Sequence, residues 1–232
     1  MLKIFLDGAD LTAMTAARAG GRVSGFTTNP SLMRKAGITD YKAFALKAIA
    51  AIPDMPISFE VFSDDFGTME REAREIASWG GDTFVKIPVT NTKGDSTAPL
   101  IRKLSREDFS LNITAILTLD QVRTVAGVLD PAARSIVSVF AGRIADTGVD
   151  PMPIMAESAR LLARLPKAEL LWASSREFLN VVQAEQCGCH IITATPDIIA
   201  KLPSRGKDLA QYSLETVKTF HQDALASGFK IV

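Results

Sequence analysis

The chain has 232 residues, 47% of them apolar and 22% charged, with 26 basic and 26 acidic side chains. That length and balance describe one large α/β domain with room for a sizeable core. A formal net charge of zero argues against nucleic acid or a membrane surface held by bulk electrostatics, but leaves room for a local cationic pocket for a small anion.

Short β-rich runs alternate with helical spacing along the whole chain. Leu2–Leu6 reads as a strand, followed by a helix over Leu11–Ala19. Val23–Phe26 is followed by Tyr41–Ala51, Ile57–Val61 by Thr68–Trp79, and Thr83–Ile87 by Thr97–Leu104. Ser110–Ile113 is followed by Leu119–Leu129, Ser135–Phe140 by Pro151–Leu165, Glu169–Trp172 by Arg176–Gln186, and His190–Thr193 by the shorter Pro196–Lys201. Eight such units predict a closed (β/α)8 barrel, a single domain over 1–232. The alternative, an open doubly wound sheet, lacks its glycine fingerprint: DGADLTA follows the first strand. The polar stretch Thr90–Pro99, TNTKGDSTAP, reads as a βα loop. A further helix over Leu209–Ala226 has no barrel slot, yet Phe220, Leu225 and Phe229 leave apolar groups on this segment. It is expected to pack on its own barrel or on a neighbouring subunit.

The two cysteines, Cys187 and Cys189, flank Gly188, too close for an ordinary unstrained disulfide. His190 beside them is a weak metal signal, because there is no second cysteine pair and the other histidine is the distant His221. No metal or cofactor is therefore expected. MLKIFLDGAD lacks a basic region, a long apolar run and a cleavage site, and no stretch is long enough to span a bilayer. A reducing, cytoplasmic setting is the expectation.

Lys86 lies inside the short strand DTFVKIP. Strands of an alternating β/α protein are covered on both faces, so an ammonium there is expensive unless paired, neutralised or at a strand end. A desolvated lysine is a nucleophilic amine, the chemistry of Schiff-base formation with a carbonyl. The other strand ends supply partners. Asp7 ends the first strand, Thr27-Thr28-Asn29-Pro30-Ser31 the second, and the third carries Glu60. Asn112 and Thr114 stand on the fifth, Ser138 on the sixth with Arg143 after it, and Ser174-Ser175-Arg176 follow the seventh. Singly, each is explained by helix capping, a turn or a surface ion pair. Together they converge on one barrel mouth, where barrel enzymes build their active sites. Asp7 and Glu60 suit general acid/base work. Thr27, Asn29 and Asn112 suit sugar hydroxyls, and Arg143, Ser174 and Arg176 suit a phosphate.

Gly25–Leu32, GFTTNPSL, and Phe84–Pro88, FVKIP, resemble two signature segments of the transaldolase family. IFLDGAD, FEV, NIT, SVFAGRIAD and ASSR extend the resemblance over essentially the whole chain in matching order. The resemblance implies a metal-free mechanism. Lys86 would attack the ketone of a ketose phosphate, fructose 6-phosphate or sedoheptulose 7-phosphate. Asp7 would take the C4 hydroxyl proton as C3–C4 breaks, and Glu60 would work through a water held by Thr114. Asn29 and Asn112 would hold the dihydroxyacetone unit, and Arg143, Ser174 and Arg176 the phosphate. An aldose phosphate would accept the three-carbon unit, within the pentose phosphate pathway. Short family members include fructose-6-phosphate aldolase, which releases free dihydroxyacetone and usually has glutamine where Glu60 stands and tyrosine where Phe140 stands. Both residues favour transfer here over simple cleavage. A sugar-phosphate-binding barrel without turnover is a further alternative, disfavoured because Asp7, Glu60 and Lys86 are all present. Ser175 and Thr118 depart from the family pattern, where an aromatic residue and a serine are common. The resemblance also implies a homo-oligomer, with a decamer as the form expected of short members.

Overall fold

A computed structural model describes residues 1–231. Two compact units divide the chain, Met1–Ile199 and the segment from Ala200 onward. The first unit is the barrel. Its strands are β1 (Lys3–Asp7), β2 (Gly25–Thr27), β3 (Ile57–Glu60), β4 (Thr83–Pro88), β5 (Leu111–Ile116), β6 (Ser135–Val139), β7 (Ala168–Trp172) and β8 (Ile191–Ala194). All pairings are parallel and sequential, and β1 pairs with both β2 and β8 to close the ring. Parallel strands covered on both faces are buried throughout, as in β6, where all five residues of SIVSV are inaccessible.

The helices follow their strands: α1 (Leu11–Ala19), α2 (Pro30–Lys35), α3 (Tyr41–Ala51), α4 (Phe66–Ala77), α5 (Ala98–Arg106), α6 (Leu119–Ala126), α7 (Ala141–Asp146), α8 (Met152–Leu162), α9 (Leu179–Gln186) and α10 (Pro196–Ile199). The sequence missed α2 and α7, whose six residues are too few for a helical period to show. It began α9 too early. Asn180 Oδ1 accepts from the backbone N–H of Arg176 and Glu177 and holds that segment as a turn. It also ended the fifth strand too early. Between Ile113 and Ile116 the β5–β6 register gains one residue, and Ala115 takes a left-handed φ of 60°, a bulge that carries the strand three residues further. The loop over 90–99 is organised from within. Asn91 Oδ1 accepts from Lys93 N and Asp95 N, and Thr92 ties it to Asp64.

Inside the barrel, alternate residues stack in layers. Across the floor, Lys3 Nζ meets Glu169 at 2.6 Å, a part-exposed pair worth at most about 1 kcal/mol. Above it lies an apolar layer of Phe5, Phe84, Ile136, Leu171 and Ile191. Gly25 is required here: a Cβ on it would sit 2.6 Å from the Phe5 ring. Two residues further along β1, β4, β6 and β8 the interior turns polar, with Asp7, Lys86, Ser138 and Thr193, and the site lies there.

The second unit contains a 3-10 turn (Leu202–Ser204) and α11 (Leu209–Ser227). Asp208 caps α11 by accepting from Gln211 N, and Gly228 ends it at a left-handed φ of 68°. No residue of α11 is buried.

Candidate active site

Lys86 sits in β4, in register with Glu60 of β3 and Asn112 of β5. It is only 7% exposed. Its Nζ lies 3.1 Å from Glu60 Oε2 and donates to the carbonyl of Thr28 at 3.2 Å. A buried ammonium demands such partners, and Glu60 is the one the strand register delivers. Tyr41 of α3 donates to the Glu60 carbonyl at 3.0 Å, and burial pushes its phenol above the usual range, so the donor keeps its proton.

Asp7 ends β1 on the same layer. Burial raises its carboxyl above the usual carboxylate range, while the Thr27 hydroxyl at 2.7 Å and the nearby Lys86 charge pull the other way. Thr27 also touches Thr193 of β8, with the two Oγ1 atoms 2.5 Å apart. On the other side of Lys86, Asn112 is completely buried. Its Nδ2 donates to Ser58 Oγ at 2.9 Å, and its Oδ1 accepts from Ser138 Oγ at 2.7 Å. Thr114 Oγ1 is buried with no hydrogen-bond partner among the described residues, which leaves it open to an oxygen of a water or substrate. Asp7, Thr27, Lys86, Thr114, Ser138, Phe140, Ser174 and Thr193 line one cavity of about 70 Å³.

Asn29 stands apart from these. It is the N-cap of α2, where its Oδ1 accepts from Leu32 N at 3.0 Å, leaving only its amide N–H groups for a ligand. Neither Thr28 nor Ser31 fills that cap; Thr28 Oγ1 donates instead to the Ser58 carbonyl.

The two arginines lie at the rim, both exposed. Arg176 grips Asp146 in a bidentate pair at 2.6 and 3.0 Å, and its Nη1 donates to the Ser174 carbonyl and hydroxyl at 2.7 and 3.1 Å. This pairing lowers the Asp146 carboxyl, with Arg143 adding to the pull. Asp146 is thus the counterion of Arg176, with Arg143 acting on it only at longer range. The Arg143 guanidinium stands over the Phe140 ring, 5.3 Å from its centroid. Ser174 holds a left-handed φ of 65°, and Gly142 approaches it so closely that a Cβ would fall 1.6 Å from the Ser174 carbonyl oxygen. That approach fixes the start of α7 against the loop after β7, and so sets Arg143 relative to Ser174.

The sequence reading missed Thr193 and Ser58, both buried in the site's hydrogen-bond network. The available signal was register: each is a hydroxyl set among apolar strand residues, IITA and ISFE. A larger hollow of about 480 Å³ lies beside α4, between Tyr41, Phe62 and Trp79. It reaches Glu60 but none of the groups that line the smaller cavity with Lys86.

Residues 4–231 match the family model described as transaldolase/fructose-6-phosphate aldolase. A probable transaldolase from a Thermoanaerobacter species is 34% identical over 231 residues, 99% of this chain and 100% of that protein. One from a Roseiflexus species is 36% identical over 193 residues, covering 83% and 85%. Among solved structures, KGPDC from Streptococcus mutans superposes with a TM-score of 0.59 at 12% identity, over 86% of this chain and 90% of that one, a likeness of fold alone. The chain belongs to the transaldolase/fructose-6-phosphate aldolase family.

Proposed function

We propose that this protein is a transaldolase that carries a dihydroxyacetone unit from a ketose phosphate to an aldose phosphate through a Schiff base on Lys86. The observation that carries this reading is the buried Lys86 amine, 3.1 Å from Glu60, sharing one cavity with Asp7. Glu60 takes the ammonium proton as substrate enters, and the amine attacks the ketone carbonyl. Glu60, with a water seated on the Thr114 hydroxyl, moves the protons that convert the carbinolamine to an iminium and a water. Asp7 then accepts the C4 hydroxyl proton as the C3–C4 bond breaks. The aldose phosphate leaves, and the bond's electrons remain on the enamine. Burial suits Asp7 to this step, because a carboxylate lifted above its ordinary range is a better base. The acceptor aldehyde is attacked by the enamine, Asp7 returns its proton to the new alkoxide, and water hydrolyses the iminium.

Asn112 and Ser138 are held rigid by their mutual bond and offer their remaining capacity to substrate hydroxyls. Asn29 adds amide donors from the α2 cap. Arg143, Ser174 and Arg176 receive the phosphate, which competes with Asp146 for the Arg176 guanidinium. Fructose 6-phosphate and sedoheptulose 7-phosphate are the proposed donors, in a pentose phosphate pathway of a reducing cytoplasm. Glu60 and Phe140 favour transfer over release of free dihydroxyacetone.

Borohydride reduction with fructose 6-phosphate, followed by peptide mass mapping, tests the mechanism. A three-carbon adduct on Lys86 is expected, and an unmodified Lys86 overturns the reading. Adding an aldose phosphate separates transfer from cleavage: the new ketose phosphate should outpace free dihydroxyacetone, and Glu60→Gln should shift that ratio towards release.

A further inference from the structure

We propose that Thr193 is a positioning residue, the outer end of a hydroxyl relay from Thr193 through Thr27 that fixes the Asp7 carboxylate for proton transfer. The proposal rests on the reading above, in which Asp7 moves the proton. It stands on three distances and a proton count. Thr27 Oγ1 lies 2.7 Å from Asp7 Oδ1 and 2.5 Å from Thr193 Oγ1. A hydroxyl has one proton, and an ionised carboxylate only accepts. The Thr27 proton therefore points at Asp7, and the proton in the Thr27–Thr193 contact must come from Thr193. Each donation polarises the next, so the Thr193 hydroxyl strengthens the bond that Asp7 receives. Thr193 is held at its other end as well, because its carbonyl accepts from Ser175 Oγ at 2.9 Å in the loop that carries Ser174 and Arg176. Both threonines are buried, at 3% for Thr27 and 5% for Thr193, so water does not substitute freely for either hydroxyl.

The electrostatic surroundings make the relay matter. Lys86 from β4 is the charged group that faces Asp7 across the cavity, with Glu60 of β3 paired to it. β2 and β8 bring hydroxyls, and β5, β6 and the loop after β7 bring Thr114, Ser138 and Ser174. Once Lys86 is tied up in an iminium with substrate, the Thr27 hydroxyl on β2, backed by Thr193 on β8, is the fixed dipole left on the carboxylate from the two strands beside β1.

Thr193→Val keeps the shape and removes the hydroxyl. It should lower kcat about tenfold, leave the ketose KM within about twofold, and move the acidic limb of the kcat–pH profile upward, because Asp7 loses stabilisation of its ionised form. Thr193→Ser should restore both. In a Thr27→Val background, Thr193→Val should have no further effect on the limb. Total borohydride trapping on Lys86, six-carbon and three-carbon adducts counted together, should remain at the wild-type level in Thr193→Val, since imine formation does not use Asp7. Failure to trap the wild type would sink the functional reading itself. Wild-type trapping combined with an unmoved acidic limb in Thr193→Val would overturn the relay alone. So would a loss of kcat that Thr193→Ser fails to rescue, which marks packing rather than hydrogen bonding. If Thr193→Val does not fold, a carbon-13 titration of the Asp7 carboxyl in Thr193→Ser and Thr193→Ala decides: the relay requires the alanine variant to titrate higher than the serine one, and equal values overturn it.

Discussion

Lys86 is buried and Asp7 half-buried in the same layer, yet removing them should have opposite effects on stability and the same effect on turnover. Lys86→Ala is expected to abolish activity, because among the described residues no other amine lines the cavity, and near-normal turnover in a coupled assay would contradict the mechanism. It also strands Glu60 beside the Thr28 carbonyl, so the variant should melt lower than the wild type. Asp7→Asn should lose at least a hundredfold in kcat. Its stability runs the other way. Burial raises the folded Asp7 carboxyl above its ordinary 3.8, so the folded state holds that proton more tightly than the unfolded chain does. Stability from this group is complete below 3.8 and is lost as pH rises through the elevated folded value. At pH 7–8 asparagine avoids that cost and still accepts from Thr27. Calorimetry should therefore show Asp7→Asn melting higher than wild type at neutral pH, with the gain vanishing near pH 3.8. At the rim, Arg143→Ala should raise KM for phosphorylated ketoses roughly tenfold or more while barely changing it for unphosphorylated ones. Equal effects would make Arg143 a structural residue.

At the scale of elements, the junction of α7 with the loop after β7 is the part least tolerant of change. The 1.6 Å separation between a Cβ at Gly142 and the Ser174 carbonyl oxygen cannot be relieved by a rotamer, since the obstacle is backbone. Gly142→Ala should cost about 3 kcal/mol of stability, read as a lower denaturant midpoint, and should weaken phosphate-dependent KM because Ser174 and Arg143 move apart. The contrast is Gly94, which has a left-handed φ of 86° but nothing within 4 Å of a Cβ. There the cost is backbone strain alone, about 1 kcal/mol.

For the whole molecule, the telling feature is α11. Leu209, Tyr212, Leu214, Val217, Phe220 and Leu225 are all exposed, at 48–80% of their surface. A soluble chain seldom leaves so many large apolar groups on one helix. We expect a homo-oligomer, and light scattering should return a multiple of the monomer mass. A chain cut before Asp208 should return a smaller species with the barrel's circular dichroism preserved. A full-length chain running as a monomer would contradict this expectation.

The alternation of eight β-rich runs with helical ones, set by short-range periodicity, determined the barrel before any contact was known. The residue types at the strand ends then marked Lys86, Asp7, Glu60, Thr114 and Asn112 as candidates for one mouth, because a strand's period of two puts alternate side chains on the same face. Short helices such as α2 and α7 escaped because fewer than two turns carry no period. What only the tertiary structure decided is who touches whom. Glu60 rather than Asp7 pairs with Lys86, Asn29 spends its oxygen on a helix cap, Asp146 pairs with Arg176, and Thr193 closes the line behind Asp7. These are contacts between residues up to 166 positions apart. They follow from strand register and barrel closure in three dimensions, which no local pattern in the chain encodes.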